Sequence, residues 1–347
     1  VNEQPIIKDL PPAAIIIAVR NEEEDLAKAL QSVCNINYSN SRIIVVNDRS
    51  TDRTADILRD FKVKYPQLTI TTVTTLPEGW LGKNNALYQG YLSSNEEWML
   101  FTDADVVFHP DALSKALSYA VVNKVDHLAI LPKVVSRSAI LNSVLATFTV
   151  MLLLHLRPWD AKKARSKAYV GIGAFNLVRR DAYEKAGTHA LIKLRPDDDL
   201  QLGFKIKSAG LRQHVLIGNE YVSLEWYKNL GQLANGLLKN SFSVANYNTV
   251  RSVANCALML IFVALPMPLM FVFGSATIRI MAGVVLLTHV VYMAVIPPNK
   301  WWYALVIPFA GFFMAYTTLR ATYITLKQGG IYWRDSFYSL AMLKGEA

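Results

Sequence analysis

Hydrophobic and polar positions alternate in blocks along the first 250 residues. Ala13–Val19 (AAIIIAV) is an apolar, β-branched run that stops at Arg20-Asn21-Glu22. Leu26, Leu30 and Val33 then recur at helical spacing. Arg42–Val46 (RIIVV) is a second strand-like run, closed by Asn47-Asp48, and Ser50 or Thr51 is placed to cap a helix running to about Phe61. Leu68–Thr74 predicts a third strand, Asn84–Leu92 a third helix, and Trp98–Thr102 (WMLFT) a fourth strand ending at Asp103. Strands alternating with helices predict an α/β domain around a mostly parallel sheet. Ligands in such folds sit at the carboxyl ends of the strands. Here those ends carry Arg20-Asn21-Glu22, Asn47-Asp48 and Asp103-Ala104-Asp105.

After residue 250 the pattern changes. Ser252–Ile278, Ile280–Asn299 and Trp301–Leu319 are charge-free runs of 27, 20 and 19 residues, separated by Arg279 and Lys300. Each is about long enough to cross a hydrocarbon core of about 30 Å. Trp301, Trp302 and Tyr303 stand where an aromatic belt would be. The expected organisation is a catalytic domain at 1–250, a membrane region of two or three hydrophobic segments at 251–325, and a basic tail at 326–347. Pro266 and Pro268 interrupt the first run, which suits a re-entrant hairpin as well as a span. Three spans would set the tail opposite the soluble domain, whereas Arg320, Lys327, Arg334 and Lys344 favour the cytoplasmic side. Leu141–Leu156 is a further apolar stretch, followed by Lys162, Lys163, Arg165 and Lys167. It reads equally as a helix lying on an anionic membrane surface and as a core helix.

Composition sharpens this division. The chain is 52% hydrophobic and 18% charged, where soluble domains carry about 25% charged residues. That excludes a disordered or fibrous chain and disfavours a wholly soluble one. Of the 36 Lys and Arg only seven follow residue 250, and of the 27 Asp and Glu only two. The net charge of +9 comes with no basic run or recognition motif, so a membrane surface is the expected partner rather than nucleic acid. Cys34 and Cys256 cannot build a disulfide framework, and the six histidines show no metal-ligand spacing and read as structural.

The chemistry lies in the carboxylates. Asp103 and Asp105 flank one small residue after a buried strand, a spacing that suits a divalent cation and its bound phosphates, and also a plain strand-to-loop turn. Asp48 is placed to accept from a nucleobase or ribose, and its neighbours also fit a helix cap. Lys83, in the loop Gly79-Trp80-Leu81-Gly82-Lys83 that opens a helix, is a candidate phosphate contact without P-loop spacing. Asp197-Asp198-Asp199 precedes a helix over Leu200–Ser208. Adjacent carboxylates raise at least one pKa, as a positioned base requires, and the same run suits an acidic helix start.

Taken in order, these segments resemble family-2 glycosyltransferases with a GT-A fold. The matching residues are Ala18–Glu23, Val46–Asp52, Gly79–Lys83, Phe101–Asp105, Gly171–Phe175, Arg179–Tyr183 and Asp198-Asp199 through Gly210, within residues 12–245. The resemblance is strongest to membrane-bound enzymes that glycosylate lipids, such as ceramide glucosyltransferases and hopanoid-associated or carotenoid-acid glycosyltransferases. It implies that Arg20, Glu22, Asp48, Lys83 and Asp103 hold the nucleotide-sugar, a UDP-sugar, with Glu22 and Asp48 on the uridine. It implies that Asp105, with Asp103, binds Mg2+ or Mn2+. Asp199, with Asp198 beside it, matches the catalytic base, 11 residues before Gly210. Gly173 and Gln232 fall on the acceptor side.

Two departures stand out. Asn47 replaces a frequent Asp. The Gln-x-x-Arg-Trp element of processive and ceramide-type enzymes falls at Gln232, but Asn235 and Gly236 replace its Arg and Trp, with Trp226 and Lys239 nearby as substitutes. The expected function is an inverting, multi-pass transferase in the cell membrane. Its catalytic domain would be cytoplasmic and its acceptor lipid or apolar. A polysaccharide synthase and a non-catalytic nucleotide-sugar-binding scaffold are the alternatives.

Overall fold

The computed structural model describes residues 7–218, 220–295, 299–333 and 336–344. The chain divides into two compact units, Val1–Val135 with Leu156–Glu225, and Ser136–His155 with Trp226–Ala347. The division falls near residue 225 rather than 250, and the segment 136–155 groups with the C-terminal helices. Its apolar side chains account for this: Ala146 packs in one cluster with Met293, Tyr303 and Ala304.

The first unit contains β1 (Ala13–Val19), β2 (Ser41–Asp48), β3 (Leu68–Val73), β4 (Trp98–Thr102), β5 (Val107–Phe108), β6 (His127–Leu131), β7 (Lys133–Val134), β8 (Asn176–Arg179), β9 (Gln213–Ile217) and β10 (Val222–Leu224). Seven of them form a sheet in the order β3-β2-β1-β4-β8-β6-β9, and β5-β10-β7 form a small second sheet. β1 pairs in parallel with β2 and β4, β2 with β3, and β6 with β9. β8 runs antiparallel to both of its neighbours. The apolar runs of β1 and β2 are buried on both faces, as central parallel strands covered by helices must be.

The reversed β8 matters for function. Its first residue, Asn176, pairs with Phe101 near the carboxyl end of β4. The loop entering β8, residues 171–175, therefore arrives at the edge where β1, β2 and β4 end. Helix capping also differs from expectation. Asp52, not Ser50 or Thr51, accepts the N–H of Thr54 at 3.0 Å, at the start of the helix Thr54–Lys64. Ser50 and Thr51 are instead tied to Asn21 in the loop after β1.

The second unit is built of apolar helices. Ala139–Ala161, Ala276–Val295 and Trp301–Gln328 are each long and apolar enough to cross a membrane. The Leu141–Leu156 stretch, open between a surface helix and a core helix on sequence, belongs to this set. The Ser252–Ile278 run is not one continuous helix. It splits into Thr249–Ala264 and Pro266–Phe273, bent by 47°. Pro266 cannot supply a backbone N–H to the preceding turn, which explains the break. The residues of the expected basic tail form a hairpin, β11 (Gly330–Trp333) and β12 (Ser336–Ser339), followed by a short helix Leu340–Lys344. Arg334 lies outside the described residues.

This unit keeps polar groups inside and apolar groups outside. Thr317, Thr318, Thr322 and Thr325 are buried, and Ser252 Oγ meets Thr322 Oγ1 at 2.6 Å. Phe262, Phe273, Ile280 and Val295 face outward at 69–80% exposure. Exposed apolar area on this scale suits a lipid solvent, and hydroxyl pairs between helices are the packing found in such surroundings.

Candidate active site

The site is assembled at the carboxyl edge of the seven-stranded sheet. Where β1 and β2 end, Asn21 (φ 52°) and Arg49 (φ 55°) adopt left-handed backbone, which turns the chain sharply off each strand. The two loops are then tied together: Thr51 N donates to Asn21 Oδ1 at 2.8 Å, and Glu22 N donates to Thr54 Oγ1 at 2.9 Å. Asp48 is buried at the end of β2. The Arg49 guanidinium grips it with Nε–Oδ1 at 2.8 Å and Nη2–Oδ2 at 3.0 Å, and Arg20 Nη1 lies 3.7 Å from Oδ2. Arg20 and Asp48 are thus brought together. Arg49 was not singled out on sequence, because nothing in a pattern shows that a side chain folds back on its predecessor.

A second cluster forms beyond β4. Lys83, at the start of the helix Gly82–Leu92, places Nζ 2.8 Å from Asp103 Oδ1 and 3.2 Å from Asp198 Oδ1. Asp198 and Asp199 occupy the first turn of the helix Asp198–Ser208, where the helix dipole favours negative charge. Asp199 accepts from Gly173 N at 2.7 Å and from Leu200 N at 2.8 Å. Gly173 O accepts from Asp103 N at 3.0 Å, so Gly173 links the two aspartates through its backbone. Any Cβ on Gly173 would lie 2.5 Å from Asp103 Oδ2. Buried Asn84 donates to Ile192 O at 2.7 Å and Arg195 O at 2.9 Å, fixing the loop before Asp197 to the helix that carries Lys83.

The electrostatics follow from this crowding. Burial pushes the Asp105 carboxyl up to about 7, helped by the like charges of Asp103 and Glu22. Burial also pushes Asp199 up to about 7, with Asp198 the next cause. Burial alone would lower the pKa of Lys83. Asp103, Asp198 and Asp199 outweigh it, so the ammonium stays charged. Asp103, Asp198 and Asp199 thus act on the Lys83 ammonium, while Asp103 and Glu22 add like charge beside Asp105. Among the described residues no three His, Cys, Asp or Glu side chains converge on one point. Asp103 and Asp105 are the residues that would hold a hard cation there, with its other ligands drawn from substrate phosphates and water.

Gly171 sets the approach of the 171–175 loop to the helix Asp198–Ser208. A Cβ there would lie 1.7 Å from the backbone oxygen of Asp199. Gly171→Ala is expected to lower stability by about 1–3 kcal/mol, or more where the helix start cannot shift. Thermal unfolding of the purified variant measures this. An unchanged melting temperature would contradict the close approach.

Gln232 lies in the second unit, where its Oε1 accepts from Lys228 N at 2.9 Å. Asn235 Oδ1 accepts from Arg320 Nη2 at 3.0 Å. A Cβ on Gly236 would lie 2.4 Å from the Tyr227 ring, so the Trp of the related element has no room at that position. Trp226 stacks on Tyr227 and packs against Phe148. The Lys239 side chain lies outside the described residues.

The pattern described as Glycosyl transferase family 2 matches residues 14–187, half of the chain, and the chain belongs to that family. Among curated relatives, the 4,4'-diaponeurosporenoate glycosyltransferase of Staphylococcus aureus is 26% identical over 216 residues, 62% of this chain and 56% of its own. The probable glycosyltransferase YdaM of Bacillus subtilis is 38% identical over 101 residues, 28% of this chain and 24% of its own. The chain thus spans from a quarter to just over half the length of these relatives. A mannosyltransferase from Pyrobaculum calidifontis, solved with GDP-Man and Mn2+, superposes over 93% of this chain and 90% of its own at TM-score 0.55 and 17% identity. The fold is GT-A, with a mixed but mostly parallel α/β sheet.

Proposed function

We propose that the chain is a membrane-anchored, inverting glycosyltransferase that moves a sugar from a UDP-sugar to a lipid or other apolar acceptor. The observation that carries this reading is the Lys83-centred cluster, in which Asp103 and Asp199 are joined through the backbone of Gly173. Arg20, Glu22 and Asp48 would hold the nucleoside, and Lys83 would balance charge beside the diphosphate. Mg2+ or Mn2+, held by Asp103 and Asp105, would supply neutralisation of charge on the departing diphosphate. Asp199 takes the proton of the acceptor hydroxyl as that oxygen bonds to the anomeric carbon. The bond from that carbon to the diphosphate oxygen breaks, and UDP leaves from the opposite face. Asp198, engaged by Lys83, holds the start of the helix that carries the base.

The match to a carotenoid-acid glycosyltransferase over 216 residues supports an apolar acceptor. The apolar helices support anchoring in the cell membrane as a multi-pass protein. Lys162, Lys163, Arg165 and Lys167, which follow the apolar helix Ala139–Ala161 directly, support a catalytic unit on the cytoplasmic side. Asp105 supplies a test that needs no acceptor. UDP titrated calorimetrically into the purified chain should bind at least about tenfold tighter with Mn2+ than without, a difference of about 1.4 kcal/mol. Asp105→Asn should abolish that difference. Equal UDP affinity with and without Mn2+ in the unaltered chain would sink the metal assignment.

A further inference from the structure

His189 forms part of the wall of a small cavity that Lys83, Asp103, Asp198 and Asp199 also line. The residue is 1% exposed, and its ring packs edge-on against Phe101 with centroids 4.9 Å apart. Its proton position is fixed by one neighbour. The Tyr183 hydroxyl accepts the backbone N–H of His189 at 3.0 Å and lies 2.5 Å from Nδ1. Tyr183 is fully buried, and its hydroxyl has no other partner among the described residues.

Two tautomers can be weighed. With the ring proton on Nδ1, two N–H groups would point at the hydroxyl oxygen. The Tyr183 proton would then be buried without an acceptor, at a cost of about 1–3 kcal/mol. With the ring proton on Nε2, Tyr183 donates to Nδ1 and every group in the pair is satisfied. The second arrangement wins. Burial, with Lys83 nearby as a lesser cause, holds the ring neutral by lowering its pKa to about 3. Nε2 has no hydrogen-bond partner among the described residues, and His189 lines the cavity.

Asn176 is directed by the same logic. Gln213 Nε2 donates to His127 Nδ1 at 2.8 Å, which makes His127 Nε2 the donor to Asn176 Oδ1. The Asn176 amide nitrogen is left as a donor on a residue that lines the same cavity. Two side chains, each oriented by a buried partner, therefore supply N–H groups to a space that otherwise offers three carboxylates and one ammonium. A polar gap wider than a direct hydrogen bond is the usual place for a bridging water.

We propose that His189 is a positioning residue for the Asp198–Asp199 pair: its Nε2–H, aimed by Tyr183, donates through one water in the cavity and holds the carboxylates in their reactive orientation. This rests on Asp199 being the base. The role places His189 outside the structural reading that its sequence spacing gave.

The test uses the full chain and two sets of variants. The double variant His189→Phe with Tyr183→Phe keeps apolar packing and leaves no orphaned hydroxyl. It should lower kcat about ten- to a hundredfold, the scale of a misplaced reacting group, with KM for the nucleotide-sugar within about twofold by the same reasoning, since donor binding does not use this group. His189→Gln, which keeps an N–H near Nε2, should recover most of kcat. Nitrogen-15 NMR of labelled histidine should find the Nε2–H tautomer in the unaltered chain and a mixture in Tyr183→Phe. A double variant with unaltered kcat, or an Nδ1–H tautomer, overturns the proposal. If the double variant does not fold, His189→Gln is compared with His189→Met: kcat kept by Gln and lowered about tenfold by Met supports the role, and equal kcat in the two overturns it. Full activity in Asp199→Asn would instead remove the base, and the tautomer measurement is independent of that outcome.

Discussion

Asp199→Asn is expected to lower kcat by about 10²–10⁴, the usual worth of a positioned general base, while nucleotide binding is retained. The amide keeps the size of the side chain, and its oxygen can still accept from Gly173 N or Leu200 N, but it cannot take the proton of an acceptor hydroxyl. The pH dependence follows from the same group. Asp199 acts only when ionised, and burial and Asp198 hold it near a pKa of about 7. kcat should therefore rise with pH through 7 and level off above it, falling roughly tenfold per pH unit on the acid side. Asp105 titrates in the same range. A saturating divalent cation competes with its proton, so at high Mn2+ the acid limb reports Asp199. A profile that is flat between pH 5.5 and 8.5, or full activity in Asp199→Asn, would remove Asp199 from the reaction.

Lys83→Met should have the second largest effect. Lys83 Nζ faces Asp103 and Asp198 at 2.8 and 3.2 Å. Met fills much of the same volume but leaves Asp198, whose side chain is 5% exposed, without that cation. Breaking a buried pair by removing one partner costs about 3–5 kcal/mol. Roughly 2–4 kcal/mol is expected here, because solvent screens the more exposed Asp103. Thermal unfolding should show a lower melting temperature at pH 7, and calorimetry should show weaker UDP binding. A stable variant with unaltered UDP affinity would mean that the lysine does not hold the cluster together.

Much of this site was legible because the strands that build it are buried on both faces. An apolar run such as Ala13–Val19 has to end where its chain meets water, and the residues just beyond it, Arg20 and Glu22, stand at the strand edge where such folds bind ligands. Asp48, the last residue of β2, and Asp103, the first after β4, stand at the same edge. Asp199 is different. Its run of three carboxylates suits an ordinary helix start equally well, and only the ordered family resemblance separated the two. What could not be read depends on contacts distant in sequence. β8 is a four-residue strand whose reversed direction is set by pairing with β4 and β6, yet it delivers Gly173 to both aspartates. His189 gains its orientation from Tyr183 and its place from Phe101. The Leu141–Leu156 segment has the composition of a core helix, a surface helix and a spanning helix alike, and its packing with Met293 and Tyr303 decides its grouping.

The central claim is transfer of a sugar to an apolar acceptor, and the most direct test is the product. Membranes containing the full chain, and matching membranes with Asp199→Asn, would be incubated with isotopically labelled UDP-sugars and Mn2+. The lipids would then be extracted and analysed by mass and by the configuration of the new anomeric carbon. The account predicts a lipid or other apolar molecule heavier by one sugar, with the anomeric configuration opposite to that of the donor, and no such product with Asp199→Asn. Long polymer in the aqueous phase, a product of retained configuration, or no labelled lipid from any donor would contradict it.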